Sequence, residues 1–519
     1  MIPLSKMPLI LILAGLIPAF TMPALARWKR ELCAPYAIAV CGLVFSVALY
    51  LFSFVVRGEV LPLYVGGWEP PWGIEIAIDP LSGMMAILIT GLALLIAIYS
   101  YHALRKEMKA EARGWYYVEF LLCMVAMLGL VITKDLFNMY VFIEVVGLSA
   151  CALVVSKGER IAVEASLKYL ILATIGSGFV VFGIGFIYMV TGHLNMAMAG
   201  QVLVENASRY PYLLWAAMSF FVVGFGVKSA LFPLHLWLPD AHSSAPSPSS
   251  AVLSSLVVKV YIVALFKIFF VVFGTVLYQE SYIRYLILIL ASAAMVGGSL
   301  FAFVQLELKR RLAYSTVAQI GYIYLGIGLG TPWAIVAAFM HLIVHALMKT
   351  CLFLCAGAIY YQTGRKKVTQ LAGLGAKMPL TAAAMTVASF SMVGIPLTGG
   401  FISKFMLARG SIEAGYPYFI ILIVVSGLLN AMYYFPILWQ IYFVSPGEHD
   451  EHGEDQENGT HGNQGDHGSH DSGGSFKWDQ IPLTMKIPIA ATAAGVVVLG
   501  IVGIFMFDYL QKIVSLYLG

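Results

Sequence analysis

Apolar stretches of about 20 residues recur from one end of the chain to the other, each long enough to cross a hydrocarbon core of roughly 30 Å. This pattern predicts an all-α, polytopic membrane protein of fourteen transmembrane helices, near 4–25, 35–56, 79–101, 115–133, 135–156, 162–191, 211–239, 246–274, 281–304, 312–330, 332–361, 378–409, 416–444 and 483–514. Between the second and third spans, residues 58–78 are polar and rich in Gly and Pro. The alternation from Gly73 to Asp79 predicts a strand there, in a hairpin on the membrane face. Arg27, Lys29 and Arg30, followed by a second apolar span, favour a retained first helix over a cleaved signal peptide.

The seventh and twelfth spans carry Pro and Gly where a helix should be continuous: Pro233 and Pro239 in one, Pro396, Gly399 and Gly400 in the other. Broken backbone at membrane depth lines a cavity or is buried in protein, and matched breaks in two halves of a transporter point to its ion site. Spans 4–8 and 9–13 each contain five helices, an odd number, so tandem units of this kind have opposite membrane orientation. Helix 7 then pairs with helix 12, Lys228 with Lys404, and helix 6 with helix 11. The expected divisions are 1–114 (three helices and the hairpin), 115–274 and 281–444 (the two repeats), 445–482 (a loop) and 483–519 (the last helix).

Composition narrows the function. The 519 residues are 60% hydrophobic and 11% charged, with mean hydropathy +0.86, and the net charge of +4 makes no basic face for nucleic acid. Lys and Arg number 16 in the odd-numbered loops against 5 in the even-numbered ones, leaving the thirteenth aside. The positive-inside rule therefore predicts both termini outside the cytoplasm. The thirteenth loop, 447–474, holds five of the eleven histidines and eight acids with no Lys or Arg, which predicts a solvated tract rather than a metal site. Six cysteines lie in or beside apolar stretches without metal-ligand spacing. No G-x-G-x-x-G, P-loop or iron–sulfur cysteine set is present, so no cofactor and no metal is expected.

Charges inside the apolar runs carry the chemistry, since each costs roughly 2.5–3.5 kcal/mol at the bilayer centre even on the mildest scale. Glu144 lies near the middle of the fifth span, Lys228 in the seventh and Lys259 in the eighth. His341, His345 and Lys349, spaced i, i+4, i+8, share one helix face over about 12 Å. Lys404 follows the break in the twelfth. An imidazole passes a proton between its two nitrogens, and a desolvated lysine exchanges protons near neutral pH. Lys168 and Lys267 stand nearer span ends, where snorkelling to the interface is the competing expectation.

The runs Lys228-Ser-Ala-Leu-Phe-Pro-Leu-His235-Leu-Trp-Leu-Pro-Asp240-Ala-His242, His341-Leu-Ile-Val-His345-Ala-Leu-Met-Lys349 and Gly394-Ile-Pro-Leu-Thr-Gly-Gly-Phe resemble the proton-conducting antiporter-like family. It comprises the large membrane subunits of respiratory complex I, of Mrp cation/proton antiporters and of membrane-bound hydrogenases. The resemblance implies that Glu144 pairs with Lys228, that Lys259 links two half-channels, and that His341, His345, Lys349 and Lys404 continue the pathway. Lys168, His235, Asp240 and His242 are accessory candidates. It also implies a prokaryotic plasma membrane, partner membrane subunits, and protons, or protons exchanged against sodium, as cargo. The chain ends after fourteen spans without a long lateral helix, which favours the D-type member of Mrp antiporters or its counterpart in membrane-bound hydrogenase or sulfur-reducing complexes. The competing expectations are a standalone cation or solute carrier and a non-conducting structural subunit.

Overall fold

The computed structural model describes residues 6–445 and 479–518. The loop expected at 447–474 lies outside the described residues. Within them, thirteen helices are long and apolar enough to cross a membrane. In chain order these are α1 (Met7–Trp28), α2 (Cys33–Val55), α3 (Pro80–Glu107), α4 (Ala110–Ile132), α5 (Leu136–Val155), α6 (Arg160–Thr191), α7a (Pro211–Lys228), α8 (Ser247–Val272), α9 (Ile283–Val304), α10 (Leu308–Leu329), α11 (Pro332–Thr363), α13 (Phe419–Phe443) and α14 (Leu483–Leu518). The remaining expected span, 378–409, is two shorter helices, α12a (Pro379–Val393) and α12b (Gly399–Glu413). The fourteenth crossing is therefore a pair of half-helices rather than one continuous rod.

The break in α7 spans Pro233, as expected, but the span does not end at Pro239. Helix stops at Lys228, five residues before Pro233, and resumes as α7b (Trp237–Ser244). Pro239 does not end the span; it sits in the first turn of α7b, where proline's missing N–H costs no helical hydrogen bond. Two connectors not foreseen from the pattern, Met196–Asn206 and Gly274–Glu280, are short helices outside the spans. The hairpin forms as expected, with β1 (Leu61–Tyr64) antiparallel to β2 (Glu75–Ile78). β2 runs directly into Asp79, whose carboxylate accepts from the Ser82 N–H at 2.8 Å and caps α3.

α8, α10 and α11 are the most enclosed helices and form the centre of the bundle, whereas α1, α2, α13 and α14 turn much of their apolar surface outward. Such outward apolar surface is what a lipid-facing helix presents, since tails solvate it. α8 contains two π-helical turns, Leu253–Val257 and Ile268–Val272, on either side of a regular ten-residue segment.

Two short backbone bridges share one hydrogen-bond pattern. The Leu136 N–H donates to Leu194 O (2.8 Å) and the Met196 N–H to Lys134 O (2.9 Å), closing the entry of α5 against the exit of α6. The Leu308 N–H donates to Lys366 O (2.9 Å) and the Val368 N–H to Leu306 O (2.8 Å), closing the entry of α10 against the exit of α11. All four positions differ by the same 172 residues.

Candidate functional site

Breaking a helix in an apolar setting frees carbonyls that need donors, and the two breaks place the two lysines. In α7 the freed groups are satisfied locally. The Ser229 N–H and hydroxyl donate to Phe225 O (2.8 and 2.6 Å), and the Trp237 indole N–H donates to Val227 O (2.8 Å). The Lys228 amine, 1% exposed, is left to face Glu144 on α5, Nζ to Oε1 3.5 Å. That separation is long for a direct hydrogen bond, so the pair is loose. Glu144 keeps 30% of its side chain exposed. Gly147 makes room for the amine, because a β-carbon there would lie 3.2 Å from Lys228 Nζ.

In α12 the freed carbonyls serve the lysine itself. Lys404 donates to Met392 O (2.7 Å) and Val393 O (3.0 Å), with Nζ 4.7 Å from the ring centroid of Tyr322 on α10. Gly394, at φ +95°, turns the chain out of α12a in a conformation that few residues other than glycine adopt. Asn430 of α13 steadies the same place by donating to Met392 O at 3.2 Å.

Between these ends the structure supplies links that the sequence did not reveal. Lys259 is fully buried and donates to Ser254 O, a carbonyl inside the first π turn of α8. The Ser254 and Thr316 hydroxyls are 2.8 Å apart, joining α8 to α10. Neighbouring Ser315 receives the Lys349 amine and lies 3.0 Å from the Tyr434 hydroxyl; Lys349 also donates to Leu312 O at 2.7 Å. Farther along α11, the rings of His345 and His341 stack at 5.9 Å, and His341 Nδ1 is 2.9 Å from the Ser403 hydroxyl, one residue from Lys404. Neither ring nitrogen of His345 has a partner among the described residues. The structure thus brings Glu144 to Lys228 and gathers Lys259, Lys349, His345, His341 and Lys404 along α8, α11 and α12.

The accessory candidates divide. Lys168 keeps 52% of its side chain exposed, between Glu164 (3.0 Å) and Asp240 (3.4 Å). Asp240 also pairs with Arg310 at 3.2 Å, so this is a peripheral ion network apart from the buried line. His235 is buried in the α7 break and stacks on Phe232 at 5.1 Å. His242 is buried against Phe353 at 4.8 Å, with both ring nitrogens unpartnered among the described residues. Lys267 corrects an expectation. Far from snorkelling, it is 1% exposed and donates to Val131 O on the last turn of α4. No cluster of three His, Cys, Asp or Glu suited to a metal occurs among the described residues.

Residues 133–430 match the family model "NADH:quinone oxidoreductase/Mrp antiporter, TM", and residues 63–108 match "NADH-Ubiquinone oxidoreductase (complex I), chain 5 N-terminus". The N-type membrane subunit of NADH-quinone oxidoreductase from Desulforudis audaxviator is 37% identical over 96% of both chains. The D-type Na(+)/H(+) antiporter protein of Bacillus subtilis is 31% identical over 76% of this chain and 78% of its own length. Among solved structures, a chain of an archaeal membrane-bound sulfane sulfur reductase superposes with TM-score 0.86 at 28% identity, covering 98% of this chain and 97% of that one. A chain of the Mrp complex from Dietzia sp. superposes with TM-score 0.85 at 26% identity, covering 100% and 98%.

Proposed function

Because the chain belongs to the NADH:quinone oxidoreductase/Mrp antiporter membrane family, we propose that it relays protons through its buried lysines and histidines as one subunit of a respiratory, quinone-oxidoreductase-type complex. It is an ion-translocating, antiporter-like, multi-pass membrane subunit of the kind found in Mrp and complex I-type assemblies.

The observation that carries it is a row of proton-exchanging groups joined in part by direct contacts: Lys259 on the Ser254 carbonyl, the Ser254 hydroxyl on Thr316, Lys349 on Ser315, the stacked rings of His345 and His341, and His341 on Ser403 beside Lys404. Hydroxyls and imidazoles both give and take protons, whereas a sodium ion asks for several oxygen ligands converging on one point. Glu144 and Lys228 act as the switch. While they are close, the carboxylate stabilises the ammonium; when they part, the amine in its low-dielectric surroundings releases its proton to the next group. Protons enter near Lys228 from the lysine- and arginine-rich face, taken as cytoplasmic, and leave past Lys404. The shared 172-residue offset of the two bridges supports reading 115–274 and 281–444 as inverted repeats. The parent assembly is favoured by the longer and closer match to the quinone-oxidoreductase relative than to the Na(+)/H(+) antiporter relative.

The test is a Lys259→Ala/Lys404→Ala double variant in the native complex, with proton uptake read in inverted vesicles. Coupled uptake should vanish while the complex still assembles; undiminished uptake would overturn the relay. Proteins that co-purify decide the parent: quinone-reducing subunits support the proposal, and a set of small Mrp subunits defeats that part of it.

A further inference from the structure

Lys267 is a fully enclosed amine that the relay above leaves unused. It stands on α8, eight residues beyond Lys259, which is about 12 Å along the helix axis. Its hydrogen bond to Val131 O places it at the carboxyl end of α4, where carbonyl dipoles favour a cation.

Three residues farther along the chain from Val131, Lys134 pairs with Asp79, and the Tyr517 hydroxyl donates to the same carboxylate oxygen at 2.7 Å. Burial pushes the Asp79 carboxyl up, but the charges of Lys134 and Lys267, with hydrogen bonds from Lys134 and the Ser82 N–H, outweigh it and hold the group well below the usual carboxylate range. One ionised carboxylate is thus shared, electrostatically, by two lysines. The neighbourhood is anchored from several elements: the Lys134 N–H donates to Glu75 O of β2 (3.0 Å), Asn195 donates to the Glu75 carboxylate (2.8 Å), and Tyr509 donates to Pro80 O (3.2 Å).

Asp79, Lys134 and Tyr517 form part of the wall of an open pocket of about 570 Å³, together with Gln201 and with Phe270, three residues from Lys267. The pocket lies at the even-numbered loops, on the face opposite the lysine- and arginine-rich ones. A buried amine is therefore adjacent to a charged, water-accessible vestibule, about 12 Å along α8 from Lys259.

We propose that Lys267, with Asp79, Lys134 and Tyr517, forms a second proton outlet, through which the first half of the molecule discharges to the face opposite the basic loops. The step rests on the relay read above. The N–H bond of the Lys267 ammonium breaks, the proton passes to water in the vestibule, and the neutral amine is reprotonated from the Lys259 side across water entering the intervening turns. Asp79 holds the departing charge, and Lys134 keeps the carboxylate anionic, so that it steers protons outward without retaining them.

Access to the vestibule provides the test. All six native cysteines are buried, so Gln201→Cys presents this chain's one exposed thiol. Intact cells carrying that variant in the native complex are treated with the impermeant cation MTSET, and proton uptake is then read in inverted vesicles, with treated wild type as the control. Modification at the vestibule should lower uptake at least about fivefold while driving electron transfer or partner binding persists. Lys267→Met should do the same, and Lys267→Arg should restore part of it. If Lys267→Met fails to assemble, the labelling arm stands alone. Full uptake after complete modification of Gln201→Cys overturns the outlet. Lys228→Ala in the same vesicles separates the two readings: lost uptake there with full uptake in the modified protein defeats the outlet alone, and retained uptake in Lys228→Ala defeats the relay itself.

Discussion

In α7 the chain leaves the helix immediately after Lys228; in α12 it leaves at Val393, eleven residues before Lys404. The first break satisfies its own carbonyls with Ser229 and Trp237, so the lysine beside it must look across to another helix and meets Glu144. The second break offers its carbonyls to the lysine, which needs no carboxylate. At the 172-residue offset of the two bridges, Glu144 corresponds to Thr316, a hydroxyl turned toward Ser254 of α8. One half thus holds its cation by a separable charge, the other by fixed backbone dipoles. At 3.5 Å the Glu144–Lys228 pair is loose and both of its side chains can rotate apart, whereas Lys404 makes two direct hydrogen bonds to fixed carbonyls and only its own side chain can move. In the proposed relay this contrast assigns gating to Glu144 and Lys228, with Lys404 as a fixed station.

The largest effect expected is at the gate. Lys228→Ala should reduce coupled proton uptake in inverted vesicles to background with assembly intact on native gels, and wild-type uptake would break the contrast between the halves. Glu144→Ala should match it in uptake and also lower thermal stability, because a buried ammonium left unpaired costs up to about 3 kcal/mol. Next, Lys404→Met should slow uptake by about tenfold or more, with a smaller stability loss, since the stranded acceptors are carbonyls rather than a charge. Ser254→Ala removes the hydroxyl joining α8 to α10 while keeping the carbonyl that holds Lys259. A net hydrogen bond of about 1 kcal/mol corresponds to roughly a fivefold loss of uptake. The smallest effect is reserved for Gly147→Ala, whose β-carbon crowds only the flexible end of Lys228; a loss under about threefold sharpens the picture of a loose pair.

Much of this was legible in the sequence. Long apolar runs fix spans almost by themselves, because a bilayer leaves helices few alternatives. Lys228, Lys259 and His345 could be singled out because charge and imidazole stand out in such runs. The hairpin announced itself through alternation at Gly73–Asp79. The bridging hydroxyls did not. Ser254, Ser315 and Thr316 look like any helical serine or threonine bonding back to its own turn, and only the packing of α8 on α10 shows them lying between two lysines. Lys267 misled for a related reason. Its place near a span end suggests that a long side chain can reach water, but the carboxyl end of α4 lies in the way and captures it. Lys168, at a similar remove, does emerge, between Glu164 and Asp240. In the local sequence only Glu164, one turn before Lys168, distinguishes the two. The continuation of α7 beyond Pro239 was hidden too, since a proline that reads as a stop sits harmlessly in the first turn of α7b.

The two π turns of α8 have a mechanical consequence. Each carries one residue more per hydrogen-bonded ring than an α turn, a kink of slack that can migrate along the helix by exchanging single hydrogen bonds. The segment Val258–Lys267 between them resembles an axle mounted in two loose bearings. Each residue that the slack passes turns by about 100° about the helix axis, so its transfer from one end of the segment to the other would reorient Lys259 and Lys267 in succession.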